Sequence, residues 1–249
     1  MNFIKHPYGN NKIAFIKYCK NQITLFTRFI LSFLFKFNKN DQIIISSAVH
    51  CPWLEDKKFY KFYRSVNEYT LLDEPRAYTL WSCSKNLKNL KGNILDVGCL
   101  LGGAGFIISK INNKGNTLLF DTFEGFMKSE GIHRRNVFFF KNISFVKKKI
   151  SALKLKRTKV FKARFPKNLK VSIGNIKLCH IDVNTYTETK SVFNYVKNRI
   201  IKNGIIIFDD YGIWGVDGVK KLINEIEKKY SNQFIFIKNY MGQCILIKK

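Results

Sequence analysis

The stretch Asn93-Ile-Leu-Asp-Val-Gly-Cys-Leu-Leu-Gly-Gly-Ala-Gly105 carries the clearest structural signal in the chain. It begins as a short apolar strand that ends near Asp96, and an apolar helix follows. The turn between the two is rich in glycine, with Gly98, Gly102, Gly103 and Gly105. Glycine is needed where a backbone turns sharply and approaches a ligand closely. The turn therefore predicts a ligand-binding loop at the end of a strand.

The spacing of these glycines distinguishes between two kinds of ligand. The pattern here is D-x-G-x-x-x-G-G, whereas the loop that holds a dinucleotide pyrophosphate at a helix N-terminus has the pattern G-x-G-x-x-G. S-adenosylmethionine has no phosphate, and its sulfonium and ammonium groups suit a loop that begins with the carboxylate of Asp96. We therefore predict that this loop binds S-adenosylmethionine through Asp96, Gly98, Gly102 and Gly103.

The second predicted strand ends in an acidic residue that could bind the same cofactor as the loop. Asp121 ends the sequence Asn116-Thr-Leu-Leu-Phe-Asp121 and lies 23 residues after Gly98. An acid about 20 residues beyond a glycine turn commonly accepts hydrogen bonds from ribose hydroxyls. The alternative is that Asp121 only caps the following loop and that the glycines only make a tight turn. We favour a cofactor site in which Asp121 binds the ribose.

Strand and helix signals alternate along the chain on both sides of this turn. A helix is expected to start at Asp73-Glu74-Pro75, with Asp73 as its cap, and to end at Gly92. Helices are also expected after the glycine turn and over about residues 188–201 and 216–230. The predicted strands are Asn93–Val97, Asn116–Asp121, Thr158–Lys162, Ile176–Val183, Ile205–Asp209, Gln233–Lys238 and Gln243–Ile247. This alternation predicts an α/β, Rossmann-like fold with a mostly parallel sheet, an antiparallel C-terminal strand and helices on both faces. We place this domain at residues 71–249 and expect residues 1–70 to form an irregular, basic N-terminal extension.

Acidic residues follow two further strands of the predicted sheet. Asp182 ends the fourth strand, and Asp209 and Asp210 end the fifth. Ligands bind beyond the carboxyl ends of the strands in such a sheet, and adjacent strands lie about 5 Å apart, so these carboxylates should converge. Acids this close repel one another unless a cation lies among them, and oxygen ligands favour Mg²⁺ or Ca²⁺. We predict a Mg²⁺ site formed by Asp182, Asp209 and Asp210; the alternative is that one or more of them cap loops.

Taken together, these motifs resemble the macrocin O-methyltransferase family, whose members act on deoxysugars of macrolides and on related glycans. The resemblance covers about residues 74–248 and rests on an ordered series of motifs. These are Glu74-Pro75-Arg76, LDVGCLLGGAG at the glycine turn, Asp121-Thr-Phe-Glu-Gly125, Phe161-Lys-Ala-Arg-Phe-Pro-Lys-Asn-Leu169, HIDVNTY from His180 onward, and Phe208-Asp-Asp-Tyr-Gly212.

The resemblance implies a class I S-adenosylmethionine-dependent O-methyltransferase that methylates a hydroxyl of a sugar or glycan. It assigns Gly98, Gly102 and Asp121 to the cofactor. It assigns Asp182, Asp209 and Asp210 to a magnesium ion that binds neighbouring hydroxyls of a sugar. Position 184 departs from the pattern, because the family usually has Asp there and this chain has Asn184. Asn keeps an oxygen ligand but loses a charge.

Candidates for the chemical step are Asp182 and His133. His133 lies in an insert after the second strand, Gly131-Ile-His-Arg-Arg-Asn136, which could form a lid. Arg134 and Arg135 beside it could hold an anionic acceptor, such as a nucleotide-linked sugar, or lie exposed. Trp214 could stack on a sugar ring or pack in the core. We expect His180, two residues before Asp182, to lie in the core or behind the metal ligands.

The charge of the chain bears on its partners. Lys and Arg total 44 against 17 acids, which gives a formal net charge of +27. Such a field attracts phosphate, anionic glycans and acidic lipid headgroups, but the abundance of Lys, Asn, Ile and Phe is also typical of AT-rich genomes. The charge supports two alternative functions, an RNA methyltransferase and a membrane-associated protein with a vestigial cofactor site. Since the sequence has no recognisable RNA-binding motif, we expect a small-molecule or glycan acceptor rather than nucleic acid.

The remaining sequence bears on where the protein acts. Residues 23–37 (ITLFTRFILSFLFKF) are strongly apolar but include Arg28 and Lys36, and a membrane-spanning helix needs about 20 predominantly apolar residues. The segment fits a helix that packs on the main domain or at a homo-oligomer interface, or one that lies in a membrane interface. Six cysteines are scattered without a C-x-x-C pair, which indicates a reducing compartment. We expect a cytoplasmic protein, with a peripheral position on the inner face of a membrane left open.

Overall fold

Seven strands form one sheet in the computed structural model, which describes residues 11–34, 50–126, 138–140, 142–213 and 215–249. The strands are β1 (Asn93–Val97), β2 (Thr117–Asp121), β3 (Thr158–Lys162), β4 (Ile176–Ile181), β5 (Ile200–Phe208), β6 (Phe234–Lys238) and β7 (Cys244–Lys248). Their order is β3-β2-β1-β4-β5-β7-β6. β7 runs antiparallel to both of its neighbours, and the other pairs are parallel. The predicted fold class is confirmed.

Helices cover both faces of the sheet, as the alternation of strands and helices predicts. One face packs against α3 (Lys57–Arg64), α4 (Glu74–Asn86), α5 (Gly103–Ile111) and α6 (Ile143–Ala152). The other face packs against α7 (Tyr186–Val196) and α8 (Asp217–Tyr230). Neighbouring residues of β1 separate the two layers, because Ile94 belongs to the first core and Leu95 to the second. This is the alternation expected of a strand buried on both faces.

Side-chain caps fix where several of these helices begin. The carboxylate of Asp73 accepts a hydrogen bond from the backbone N–H of Arg76 at 3.0 Å, which confirms Asp73 as the cap of α4. Asn142 and Thr185 cap α6 and α7 in the same way. Because a cap sets the first turn of its helix, Asp73 also fixes the position from which the side chain of Arg76 extends out of α4.

The N-terminal part of the chain is more ordered than the sequence suggested. Two compact units are present, Met1–His50 and Cys51–Lys249, and the first contains α1 (Asn11–Leu34). Residues 51–70, which we expected to be irregular, form α2 (Pro52–Glu55), α3 and a 3-10 turn (Asn67–Tyr69). The side chains of Phe59, Phe62, Tyr63 and Val66 are buried in the core. Their spacing is helical, and the basic residues between them obscured it in the sequence.

The apolar segment predicted over residues 23–37 overlaps α1, and residues 35–37 lie outside the described part of the chain. Among the described residues, no helix combines the length and the apolar character that crossing a bilayer requires.

The turn after β1 approaches the end of β4 so closely that only glycine fits. Gly98 has a φ of +96°, and a Cβ there would lie 1.7 Å from the carbonyl oxygen of Asp182. The backbone N–H of Asp182 donates to the carbonyl oxygen of Val97 at 2.8 Å, which holds the two strand ends together. A side chain at position 98 would therefore have to push β1 and β4 apart.

We expect Gly98→Ala to lower the free energy of unfolding by about 3 kcal/mol or more, because backbone strain and a steric clash add. Gly212→Ala is the matched control: its φ is +80°, but nothing lies within 4 Å of the added Cβ, so strain alone should cost about 1 kcal/mol. Urea unfolding followed by circular dichroism measures both. Equal losses in the two variants would show that no clash occurs at Gly98.

Candidate active site

The glycine turn lies at the carboxyl ends of β1 and β2 and leads into α5. The backbone N–H groups of Gly98 and Cys99 both donate to the carbonyl oxygen of Phe120, at 2.8 and 3.2 Å. Gly102 precedes the first turn of α5 in the left-handed conformation, with a φ of +94°. The first N–H groups of a helix have no partner within it and carry the positive end of its dipole. The turn therefore offers amide donors to an anionic group such as the carboxylate of S-adenosylmethionine.

Asp121, at the end of β2, ties this turn to the second strand. Its Oδ2 accepts a hydrogen bond from the N–H of Leu100 at 2.8 Å, and its Oδ1 accepts one from the N–H of Phe123 at 2.7 Å. Burial raises the pKa of the Asp121 carboxyl, although these two amides act to lower it. A carboxylate can accept about four hydrogen bonds, so Asp121 can cap its loop and still accept bonds from ribose hydroxyls. The two interpretations of Asp121 do not exclude each other.

Two glycines of the turn are explained by packing of α5 against the protein itself. A Cβ at Gly103 would lie 2.4 Å from the carbonyl oxygen of Tyr69, in the 3-10 turn. A Cβ at Gly105 would lie 2.5 Å from the side chain of Leu119 in β2 and 2.8 Å from Oδ2 of Asp96. Gly103 therefore lets α5 approach the 3-10 turn, and Gly105 lets it lie directly on the sheet. The assignment of Gly103 to the cofactor stays a prediction.

Asp96 and His180 form a buried pair beneath the mouth of the site. They are opposite each other in the register of β1 and β4, and Oδ1 of Asp96 lies 2.7 Å from Nδ1 of His180. Both side chains are 0% exposed. Burial on its own would lower the pKa of His180, but the hydrogen bond and charge of Asp96, with the charges of Asp209 and Asp182, raise it to about 9. Asp96 therefore points at His180 in the interior, and its predicted contact with the cofactor remains untested.

The three predicted metal ligands follow β4 and β5 at the same edge of the sheet. One ligand atom each of His180, Asp182 and Asp209 lies within 4.8 Å of the others, a group that does not include Asp210. Burial and the charges of Asp210 and Asp209 raise the pKa of Asp182 well above its ordinary range. Burial and the charge of Asp209 raise the pKa of Asp210 to about 6. The sheet thus brings the acids together, and His180 is an additional member of the cluster.

Arg76 extends from the start of α4 to this cluster. Its Nη1 donates to Oδ2 of Asp209 at 3.1 Å, and its Nη2 donates to the carbonyl oxygen of Leu71 at 3.0 Å. The charge of Asp209, followed by those of Asp73, Asp182 and Asp210, raises the pKa of Arg76 against the effect of burial. The sequence placed Arg76 in a motif but gave it no role. Its partner lies 133 residues further along the chain, and only the fold reveals it.

The charges and orphaned atoms of the cluster fit a divalent cation. When all groups are ionised, the carboxylates of Asp96, Asp182, Asp209 and Asp210 face Arg76 and His180, which leaves two negative charges uncompensated. Five buried atoms of these groups lack a hydrogen-bond partner among the described residues: Nε of Arg76, Oδ2 of Asp96, Nε2 of His180, Oδ1 of Asp209 and Oδ2 of Asp210. Buried polar atoms are rarely left unpaired. A bound cation would also reverse the electrostatic effect that now favours protonated His180.

Several residues singled out in the sequence lie outside the described residues. They are His133, Arg134, Arg135 and Trp214. Asn184 is described and has a left-handed φ of 59°, a conformation that Asn tolerates better than most residues. Its predicted role as a weaker ligand stays a prediction.

The strand order, the glycine turn after β1 and the acid at the end of β2 define a class I S-adenosylmethionine-dependent methyltransferase. The chain belongs to the macrocin-O-methyltransferase (TylF) family, whose family model matches residues 64–233. It is therefore an S-adenosylmethionine-dependent O-methyltransferase, and the resemblance drawn from its motifs is confirmed.

Solved structures share this fold at low sequence identity. The O-methyltransferase NovP has a TM-score of 0.64 and 17% identity, over 73% of this chain and 82% of that chain. The calicheamicin methyltransferase CalS11 has a TM-score of 0.55 and 12% identity, over 85% and 99% of the two chains. The O-methyltransferase TomG from Streptomyces achromogenes, in complex with S-adenosylmethionine, has a TM-score of 0.52 and 11% identity, over 78% and 91%. These likenesses concern the fold alone. Comparison with the curated proteins gives no match.

The cluster makes the stability of the metal-free protein depend on pH. The pKa of Asp210 is about 6 in the folded protein and 3.8 in the reference state, so the stability that Asp210 contributes at low pH is lost as the pH rises through about 6. Asp210→Asn removes this loss. In the presence of a chelator at pH 8, we expect the variant to be more stable than the wild type by about 2–3 kcal/mol.

Urea unfolding at pH 4, 6 and 8 tests this. Asp217→Asn, which removes an exposed acid at the start of α8, is the control for loss of a charge. If the Asp210→Asn variant and the wild type differ by the same amount at every pH, the repulsion within the cluster is not the cause.

Proposed function

We propose that the protein transfers the methyl group of S-adenosylmethionine to a hydroxyl of a sugar or glycan, with a Mg²⁺ ion aligning the acceptor. The observation that carries the proposal is the meeting of two features at one place. The glycine turn after β1 touches the backbone of Asp182, and Asp182 belongs to a cluster of acids that have buried, unpartnered atoms. A cofactor held by the turn and a cation held by the acids would be neighbours.

The acceptor class is supported by the family and by the chemistry of the cluster. The family is named for macrocin O-methylation, and CalS11 is a calicheamicin methyltransferase. A hard cation such as Mg²⁺ prefers oxygen ligands and keeps several positions for water or substrate. Neighbouring hydroxyls of a sugar would fill two such positions. We assign the cation to Asp182, Asp209 and Asp210.

When bound, S-adenosylmethionine supplies a methyl group on a positively charged sulfur, and a divalent cation fixes and acidifies a nearby hydroxyl. The residues of the chain do the rest. Asp121 and the amides of the turn hold the cofactor, which sets the line of attack. The cofactor would supply the methyl group to the acceptor oxygen, and the carboxylate of Asp182 would be the group that accepts the hydroxyl proton. Arg76 keeps Asp209 in place through its hydrogen bond to Oδ2.

The other predictions about the protein's context stay proposals. They are an N-terminal extension before the methyltransferase domain, the cytoplasmic location, and an oligomer or a membrane surface as partner. The predicted boundary at residue 71 is not kept, because residues 51–70 belong to the same compact unit as the sheet and contribute to its core. The net charge of +27 is the observation that favours an RNA substrate. Against RNA, the sequence has no recognisable RNA-binding motif, and without a bound cation the acids of the cluster would repel phosphates.

Calorimetric titration with S-adenosylmethionine, with and without Mg²⁺, tests the proposal. We expect wild type to bind the cofactor, and Asp121→Asn and Asp121→Ala to bind it at least about 10-fold more weakly, because each removes ribose acceptors. The Asn variant keeps the shape of the side chain but replaces one of the two oxygens that accept the loop amides by a donor, so urea unfolding of both variants shows how much of the loss comes from the loop. Asp182→Asn should bind the cofactor but respond less to Mg²⁺.

Methylation is then assayed with monosaccharide and glycan acceptors and with RNA. Failure of the well-folded wild type to bind S-adenosylmethionine would overturn the proposal. Transfer to RNA, with a steep dependence on salt, would overturn the choice of acceptor and favour the RNA methyltransferase.

A further inference from the structure

We propose that His180 binds the cation directly through Nε2, so that the site holds a nitrogen ligand and prefers Mn²⁺ to Mg²⁺. The inference rests on the proposed function, in which the acid cluster binds a divalent cation. It concerns which atoms hold the ion and therefore which ion the protein takes.

The first support is the position of His180. One ligand atom of His180 lies within 4.8 Å of one carboxylate oxygen each of Asp182 and Asp209. Ligands around one Mn²⁺ or Mg²⁺ ion lie at about 2.1 Å from it, so two ligands of one ion are about 3.0 Å apart when adjacent and about 4.2 Å apart when opposite. Small rotations of side chains would bring these three atoms to that spacing. His180 is 0% exposed, and its Nε2 has no hydrogen-bond partner among the described residues.

The second support is the way in which the ring is held. Oδ1 of Asp96 lies 2.7 Å from Nδ1 of His180, so a neutral ring carries its proton on Nδ1 and its lone pair on Nε2. Histidines that bind metals typically donate their other ring N–H to a carboxylate in this manner. Room for Asp96 depends on Gly105, since a Cβ there would lie 2.8 Å from Oδ2 of Asp96. The absence of a side chain at Gly105 in α5 therefore leaves the space that Asp96 needs to orient the ring of His180.

The third support is that only one of the two carboxylate oxygens of Asp209 is occupied by a hydrogen bond. Oδ2 is occupied by Nη1 of Arg76 at 3.1 Å. Oδ1 is buried and has no partner among the described residues. Arg76 therefore fixes the carboxylate from one side and leaves a single oxygen available to an ion. His180 and Asp209, each held by a partner and each with one atom unused, complete the site with Asp182.

The choice of metal follows from the nitrogen ligand. Imidazole suits transition metals, whereas Mg²⁺ is held almost entirely by oxygen. Mn²⁺ accepts carboxylate oxygens, waters and an imidazole nitrogen together. The competing arrangement keeps His180 as an imidazolium that donates to the aspartates, with the ion bound by oxygens alone. The two arrangements differ in whether nitrogen is bonded to the metal.

Pulsed electron paramagnetic resonance of the full chain with Mn²⁺ alone distinguishes them. We expect the wild type to show ¹⁴N modulation from a directly bound imidazole, and the modulation to change to that of ¹⁵N when the protein is grown with ¹⁵N-histidine. The isotope exchange requires no substitution, so it is independent of whether variants fold. A Mn²⁺ spectrum without nitrogen coupling would overturn the inference and leave the proposed function standing.

Calorimetry with Mn²⁺ and Mg²⁺ provides the second readout. His180→Gln puts an amide oxygen where Nε2 lies, so we expect Mn²⁺ affinity to fall by about 10- to 100-fold and the preference over Mg²⁺ to disappear. Asp96→Asn should weaken Mn²⁺ binding by about 10-fold and keep the nitrogen coupling. His50→Gln, outside the cluster, is the matched control and should change neither.

Unchanged preference in the His180→Gln variant would overturn the nitrogen ligand. Binding of neither ion by the wild type would overturn the cation of the proposed function as well, whereas binding of S-adenosylmethionine, measured in the same samples, would still uphold the methyltransferase site.

Discussion

A carboxylate and an imidazole meet at the centre of the sheet, where neither side chain touches water. The Asp96–His180 contact joins β1 to β4, the two strands at which the order of the sheet reverses. Burying either group alone would cost several kcal/mol, and pairing them removes most of that cost. Because both groups are needed, neither strand can shift in register without leaving a buried charge unpaired. The pair thereby fixes the strand ends from which the glycine turn and Asp182 start.

Backbone strain is concentrated around the same edge of the sheet. Leu100, Phe123, Asn184 and Asp210 have φ between 46° and 60° and follow β1, β2, β4 and β5 in turn. Each such residue costs of order 1 kcal/mol, and the cost persists only where the surroundings impose it. At Leu100 and Phe123 the result is visible, since both N–H groups point at Asp121. The chain thus turns sharply at the ends of β1, β2, β4 and β5.

The strands of the sheet could be predicted from the sequence because they are short and apolar and are followed by glycine or an acidic residue. β1 and β3 have the predicted bounds. α6 was not predicted, since Phe145, Val146 and Ile150 stand among lysines and follow an aromatic run. β5 begins at Ile200, five residues before the predicted start, and Gly204 lies within the strand. The register of the β4–β5 pair shifts between Ile176 and Leu178, and β7 pairs with β5 only from Ile205 onward, an irregularity of the kind that a glycine inside a strand often marks.

The site was foreseen only in part, for a related reason. Asp182, Asp209 and Asp210 could be predicted to lie close together because each follows the carboxyl end of a neighbouring parallel strand. The partners of these acids depend on register and on helix placement, which no local pattern contains. His180 and Asp96 are 84 residues apart, and Arg76 and Asp209 are 133 residues apart. The Asp96–His180 contact runs across the sheet, between opposite residues of β1 and β4, so the sequence of either strand alone does not reveal it.

The contact between Gly98 and the carbonyl of Asp182 also restricts how this protein can diverge. The Asp-Val-Gly and His-Ile-Asp stretches belong to different strands, yet a gain of bulk in one displaces the backbone of the other. Accepted changes in the two stretches must therefore arise as compensating pairs, and each stretch will look more constrained than its own chemistry requires.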